Sequence, residues 1–333
     1  MGENIQGGTR RVVVLGTGGT IAGRAGRAGD NIGYTAGEVG VSELLGGIDA
    51  PEGIALLAEQ VAQVDSKDMS FAIWQTLAQR CAHWLAKADV AGVVITHGTD
   101  TLEETAFFLQ SVLAPSKPVV LTCAMRPATA LAPDGPQNVR DAIVVAATAG
   151  VRGVVAVCAG TVHSAFDVQK VHTYRVDAFD SGDGGPLAYV EEGALRVLRN
   201  WPAPHAATQV FDRVAGAVSL PRVEIVVSHA EARGAIVDAL IAERKRGSAD
   251  AVQGLVLAAT GNGTLHHALE AAALRAQAEG IAVVRATRCM QGRILAKPDE
   301  SLRDAGALTP VKARIALALE LLAASASGRI EGG

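Results

Sequence analysis

Residues 93–106 read V-V-I-T-H-G-T-D-T-L-E-E-T-A. Val93, Val94 and Ile95 form a β-branched run of the kind buried on both faces of a parallel sheet, and Gly98 permits a tight reversal. Leu102 then opens an apolar helical stripe continued by Ala106, Leu109 and Leu113. Strand, hydroxyl-rich turn and helix in that order form the unit of an α/β domain, whose ligands bind at the carboxyl edge of the strands. Two readings of the turn stand side by side. Thr101 with Glu104 matches the S/T-x-x-E capping box, and Asp100 faces the positive end of the helix dipole. One capping side chain suffices, so Thr99 and Asp100 exceed what the backbone needs and are candidates for chemistry.

The same unit recurs on either side. Residues 12–15 form a buried strand running into G-T-G-G-T at 16–20, and residues 54–64 contain a strand that meets the polar turn V-D-S-K-D-M at 64–69. Further strands are expected at 118–123 and 154–158. Helices are expected at 39–45, along a stripe of Ile73, Leu77, Cys81 and Trp84, and from an N1 proline at Pro136 to Thr148. The glycine-rich, charged residues 23–33 cannot pack a core and read as a mobile loop, with Tyr34 the one large side chain near its end.

This pattern predicts an α/β protein: a larger N-terminal domain with a doubly wound, mainly parallel sheet at 1–200, then a smaller C-terminal α/β domain at 220–327. Pro202 and Pro204 mark a linker at 201–219, and residues 328–333 read as a disordered tail. In the second domain strands are expected at 223–227, 254–259 and 281–286. Helices are expected at 230–245 and 265–277, with a last one capped by Thr309-Pro310.

Composition narrows the partners. A chain of 333 residues with 49% hydrophobic content is long enough for two cores, and 4% aromatics suits closely packed helices on a sheet. A net charge of −4 with interspersed signs gives nucleic acid little to hold. Cys81, Cys123, Cys158 and Cys289 lie in apolar surroundings without C-x-x-C spacing and read as buried reduced thiols, not as disulfides or a zinc site. The first residues lack an apolar h-region and no run reaches transmembrane length, so no membrane partner is expected. The expected compartment is cytoplasmic, or periplasmic if a leader was removed.

Several catalytic sets are missing. Ile21 stands where a dinucleotide fingerprint needs its third glycine, no Walker lysine follows, and G-x-S-x-G and H-E-x-x-H do not occur. No histidine shows ligand spacing, so no metal site is expected. His97 reads as a hydrogen-bonded turn residue, His266-His267 as the polar side of a helix start, and His163 and His172 as loop residues. Thr20 is either a cap or a hydroxyl held beside glycines where a carbonyl can approach. A threonine nucleophile without histidine needs another base. Lys170 serves only if burial or a nearby cation lowers its pKa from about 10.4; its bland reading is a solvated loop lysine.

Three motifs reinforce one another: G-T-G-G-T-I-A-G at 16–23, V-D-S-K-D-M at 64–69 and T-H-G-T-D-T-L-E-E-T-A at 96–106. With M-R-P-A-T-A at 125–130, D-G-P-Q-N at 134–138, D-A-F-D-S-G-D-G-G-P-L-A at 177–188 and G-N-G-T at 261–264, they resemble the bacterial L-asparaginase (asparaginase-glutaminase) family over nearly the whole chain. The resemblance implies a type II-like amidohydrolase that turns L-asparagine into L-aspartate and ammonia without metal or organic cofactor. It makes Thr20 the nucleophile, with Tyr34 on the lid beside it, and Thr99, Asp100 and Lys170 the group that moves protons and activates water. It assigns Gly19, Asp65, Ser66, Thr99 and Asp100 to substrate binding. Backbone N–H groups near the turns are then placed to stabilise the oxyanion. It also implies a homotetramer built as a dimer of dimers, each site closed by a neighbouring subunit.

Some positions depart from the pattern. Lys67 stands where members often carry glutamine or threonine, and Thr264 where many periplasmic members have asparagine. No secure match exists for the second-domain glutamate that reaches a neighbouring site, Glu300 being a poor one. Among the rival readings are a glutaminase-asparaginase of broad specificity and a non-catalytic amino-acid-binding protein using the same carboxylate and amine contacts.

Overall fold

The computed structural model describes residues 10–27, 30–202, 208–298 and 301–325. They fall into two compact units that meet in sequence at Thr208 and Gln209. Glu300 and the tail at 328–333 lie outside the described residues.

The first unit begins with β1 (Arg10–Gly18), a short hairpin of β2 (Arg24–Ala25) and β3 (Tyr34–Thr35), the one-turn helix α1 (Val41–Leu44) and β4 (Ile54–Val64). Strand and helix then alternate: α2 (Phe71–Leu85), β5 (Val90–Thr96), α3 (Leu102–Leu113), β6 (Pro118–Thr122), α4 (Gly135–Ala147) and β7 (Gly153–Cys158). After these come β8 (Thr161–Ser164), β9 (Gln169–Lys170), β10 (Phe179–Asp180), β11 (Ala188–Glu191) and β12 (Ala194–Val197).

Eight strands of the described residues form one sheet in the order β12-β11-β8-β7-β6-β5-β1-β4. From β7 to β4 the neighbours are parallel, as continuous apolar runs require: every residue of β5, β6 and β7 is buried. Each such Val or Leu contributes about 1.5–3 kcal/mol of burial. The mainly parallel doubly wound sheet is therefore the observed one, extended by an antiparallel strip, β8, β11 and β12, that the sequence pattern did not reveal.

Several local expectations need correction. On α2 the buried stripe is Trp74, Leu77, Ala78 and Cys81, with Trp74 taking the place given to Ile73, because its ring stacks on Phe108 at 4.8 Å. His163 is not a loop residue: it lies buried in β8, its Nδ1 2.8 Å from Ser181 Oγ. The loop at 23–33 includes the start of the β2–β3 hairpin, in which Arg24 pairs with Thr35 and Ala25 with Tyr34. That pairing sets the position of Tyr34.

The second unit comprises α5 (Thr208–Gly216), β13 (Val223–Val227), α6 (Ala235–Lys245), β14 (Gly254–Ala259), α7 (His267–Ala278), β15 (Ala282–Thr287) and α8 (Pro310–Ala324). β13, β14 and β15 form a parallel sheet in that order. Alternate residues feed two cores: Leu255 and Leu257 pack with Val237, Ile241 and Leu269 of α6 and α7, whereas Val256 packs with Ala313 and Leu317 of α8. Thr309 Oγ1 accepts the Lys312 N–H, which starts α8 as the Thr-Pro pair predicts. Residues 201–219 are not merely connecting chain, since α5 lies among them. Cys289 is exposed, in contrast to the three buried cysteines, because it follows β15 into an irregular segment. Among the described residues no helix is long and apolar enough to cross a membrane.

Candidate active site

The turns that follow β1 and β5 meet backbone to backbone. Gly18 and Gly19 have φ of 99° and 82°, a region that side chains rarely enter. A Cβ on Gly19 would stand 2.3 Å from Gly98 Cα, and one on Gly98 would stand 2.5 Å from Ser66 Oγ. Gly19 N–H donates to Val64 O at 2.9 Å, and Thr17 Oγ1 donates to Thr96 O at 2.9 Å, so three strand ends are joined at this point. These glycines thus serve close packing of two hydroxyl-bearing turns.

His97 braces the second turn from below. Its Nδ1 lies 2.7 Å from Gly98 O and its Nε2 2.9 Å from Thr105 Oγ1, which in turn accepts the Trp74 Nε1–H at 2.8 Å. The carbonyl can only accept, so Nδ1 carries the proton and Nε2 accepts the threonine hydroxyl. Burial, partly opposed by the Gly98 carbonyl, lowers the His97 pKa to about 4.

The folded state therefore refuses a proton that the unfolded chain accepts near pH 6.5, and stability falls as pH drops from about 6.5 to about 4. The stability advantage of the native protein over a His97→Asn variant is expected to shrink by about 3 kcal/mol between pH 7 and pH 4 in urea titrations. A pH-independent advantage would contradict this account of the brace.

The capping reading of Thr101 does not hold. Its side chain makes no cap bond to α3 and instead donates to Ser66 O at 2.7 Å, while Ser66 Oγ accepts the Asp100 N–H at 3.2 Å. These two bonds join the turn after β4 to the turn after β5. Ser66 is buried beneath them.

Above the turns lies a cavity of about 220 Å³, lined by Thr20, Tyr34, Thr99, Asp100 and Lys170 together with Asn31, Ile32, Met125, Thr173 and Tyr174. Thr20 Oγ1 is 2.7 Å from Tyr34 Oη. Lys170 Nζ donates to Thr99 Oγ1 at 2.8 Å and to Asp100 Oδ1 at 2.6 Å, and Thr99 Oγ1 lies 3.4 Å from the same carboxylate oxygen. Lys170 reaches this place because β9 pairs with β10, Lys170 opposite Phe179. It is not a solvated loop lysine: its side chain is 19% exposed, and the charge beside it is a carboxylate, not a cation.

Two arrangements thus face one cavity: a threonine hydroxyl held by a phenol, and a threonine hydroxyl held by an ammonium–carboxylate pair. Such a set suits acyl transfer, with a nucleophile and a separate water-activating group. Family models match both parts of the chain: "Asparaginase, N-terminal" over residues 11–203 and "Glutaminase/Asparaginase C-terminal domain" over residues 222–331. The chain belongs to the asparaginase family.

Similar members of that family cover most of the chain. An L-asparaginase 2 of Escherichia coli (strain K12) is 38% identical over 321 residues, which spans 93% of this chain and 88% of that protein. A glutaminase-asparaginase of Pseudomonas fluorescens biotype A is 34% identical over 313 residues, 91% of this chain and 84% of that one. The crystal structure of a probable cytoplasmic L-asparaginase from Campylobacter jejuni superposes with a TM-score of 0.84 at 34% identity, covering 94% and 95% of the two chains. The two-unit α/β fold is therefore the asparaginase fold.

Of the other residues expected to bind substrate in this asparaginase-family chain, Gly19 and Ser66 support the cavity through Gly98 and Asp100. The Asp65 side chain accepts the Lys67 N–H at 3.3 Å and lies 3.5 Å from Lys67 Nζ. Lys67 also pairs with Asp68, so the additional cation is shared between two carboxylates. Asn31, Ile32, Thr173 and Tyr174 were not singled out from the sequence. Ile32 and Asn31 sit in a polar loop, and Thr173 and Tyr174 at the tip of the β9–β10 hairpin, where no periodicity marks an inward-facing side chain.

Proposed function

We propose that this chain is an amidohydrolase converting L-asparagine to L-aspartate and ammonia through a threonine acyl-enzyme. The observation that carries the reading is the pairing of Thr20 with Tyr34 and of Thr99 with Lys170 and Asp100 around one cavity, in a member of the asparaginase family. Thr20 Oγ1 attacks the side-chain amide carbon, and Tyr34 Oη, at hydrogen-bond distance, relays the hydroxyl proton toward the amide nitrogen, which leaves as ammonia. A water then attacks the acyl carbon, and the bond from that carbon to Thr20 Oγ1 breaks as the oxygen recovers a proton through Tyr34 Oη, releasing L-aspartate. The Thr99 oxygen takes a proton from that water as its own hydroxyl proton passes to the Lys170–Asp100 pair that holds it. Asp100, Gly19 of the turn after β1, and Asp65 and Ser66 of the turn after β4 hold the substrate's α-amino and α-carboxylate groups.

A second reading, a glutaminase-asparaginase, has an observation of its own: relatives bearing that name are 33–35% identical, close to the 36–38% of the bacterial L-asparaginases. One methylene is worth only about 1–3 kcal/mol in such a pocket. The test is ammonia release by the purified protein over a panel of small amides. A kcat/KM for asparagine well above that for glutamine supports the first reading and comparable values the second; binding without hydrolysis of any amide refutes both. The proposed assembly is a homotetramer in the cytoplasm, and light scattering showing an active monomer would contradict the assembly.

A further inference from the structure

Two thiols outside the proposed reaction lie at the same edge of the sheet. β6 and β7 pair in register through Thr122 and Val157, and the residue after each is a cysteine: Cys123 just past the end of β6 and Cys158 at the end of β7. Cys123 Sγ and Cys158 Sγ are 3.3 Å apart, both buried. Asn138 holds their surroundings: its Nδ2 donates to Cys123 O at 2.9 Å and its Oδ1 accepts the Ala159 N–H at 3.0 Å. Two residues past Cys123 stands Met125, a wall of the cavity, whose N–H is held by Asp134 at 2.9 Å. The charges of Lys170 and Asp134 both act on Cys123. The pair is thus built into the support of the candidate active site without taking part in its hydrogen bonds.

We propose that Cys123 and Cys158 are a modification site: a peroxide joins them as a disulfide that lowers turnover at the neighbouring cavity, and a dithiol reductant restores it. One sulfur attacks a peroxide oxygen and becomes a sulfenic acid as water leaves; the second sulfur displaces that hydroxyl as a further water. Two thiols lose two protons and two electrons, and hydrogen peroxide takes them up to become two waters. The sulfurs must close from 3.3 Å to a bond of about 2 Å, which draws the chain before Met125 toward β7. The contact with Cys158 and burial hold the Cys123 thiol protonated, above its ordinary range, so the reaction is slow at neutral pH and quickens with alkalinity.

The test uses full-length Cys289→Ser protein, so that the exposed Cys289 thiol does not compete for the peroxide. After hydrogen peroxide, non-reducing peptide mapping is expected to find Cys123 linked to Cys158 with Cys81 free, and ammonia release to fall by about tenfold or more. Dithiothreitol restores both, and Cys158→Ala or Cys158→Ser in the same background escapes the loss. Failure of the native protein to form the link, with formation only after unfolding, overturns the proposal, as does a link that leaves turnover unchanged. The activity arm rests on the amidohydrolase reading. Protein that releases no ammonia before oxidation refutes that reading, and the linked peptide then decides the modification by itself.

Discussion

Replacing Thr20 by alanine is expected to lower kcat for ammonia release from L-asparagine by about 10⁴-fold or more, the order seen when a nucleophile is removed. The side chain is nearly buried and its hydroxyl bonds Tyr34, so the folded protein loses one hydrogen bond, about 1 kcal/mol. An unchanged fold with abolished turnover therefore separates chemistry from structure. Thr20→Ser keeps the oxygen and is expected to recover part of the rate, as capping alone would not require. Full activity in Thr20→Ala would falsify the acyl-enzyme scheme.

The second large effect concerns Lys170. In Lys170→Met the Thr99 hydroxyl and the Asp100 carboxylate lose their shared donor, and removing a positioned proton relay costs about 10²–10⁴-fold in rate. Stability changes little, because the Asp100 side chain is 54% exposed and water takes over its charge. Because Thr20 and Tyr34 remain intact, acylation stays faster than deacylation, and rapid mixing is expected to show a stoichiometric burst of ammonia followed by slow turnover. Loss of the burst together with the steady state would place Lys170 in the first half of the reaction.

Much of the fold is legible in the sequence wherever one segment suffices to define an element. The β-branched run at Val93 announces a doubly buried strand, and Thr309-Pro310 announces α8, because both depend on neighbours in the chain. What is not legible depends on distant partners. Trp74 outranks Ile73 only because Phe108 stands opposite, and Thr101 abandons the capping box only because Ser66 O lies within reach. Lys170 becomes part of the cavity through a two-residue pairing with Phe179 that no periodicity signals. The hydroxyl-rich turns could be read, whereas the Ile32, Met125 and Tyr174 walls could not, since an apolar side chain facing a cavity looks like any other.

The contact between Gly19 and Gly98 has a consequence for redesign. A methyl group on Gly19 would wedge into Gly98, and one on Gly98 into Ser66, so the three turns do not vary independently, and altered selectivity has to come from elsewhere. Libraries meant to admit longer amides are best confined to Ile32, Met125, Thr173 and Tyr174, which border the cavity yet carry none of the bonds that set the two threonines. Diversity spent at residues 19 or 98 yields misassembled protein instead of new substrates.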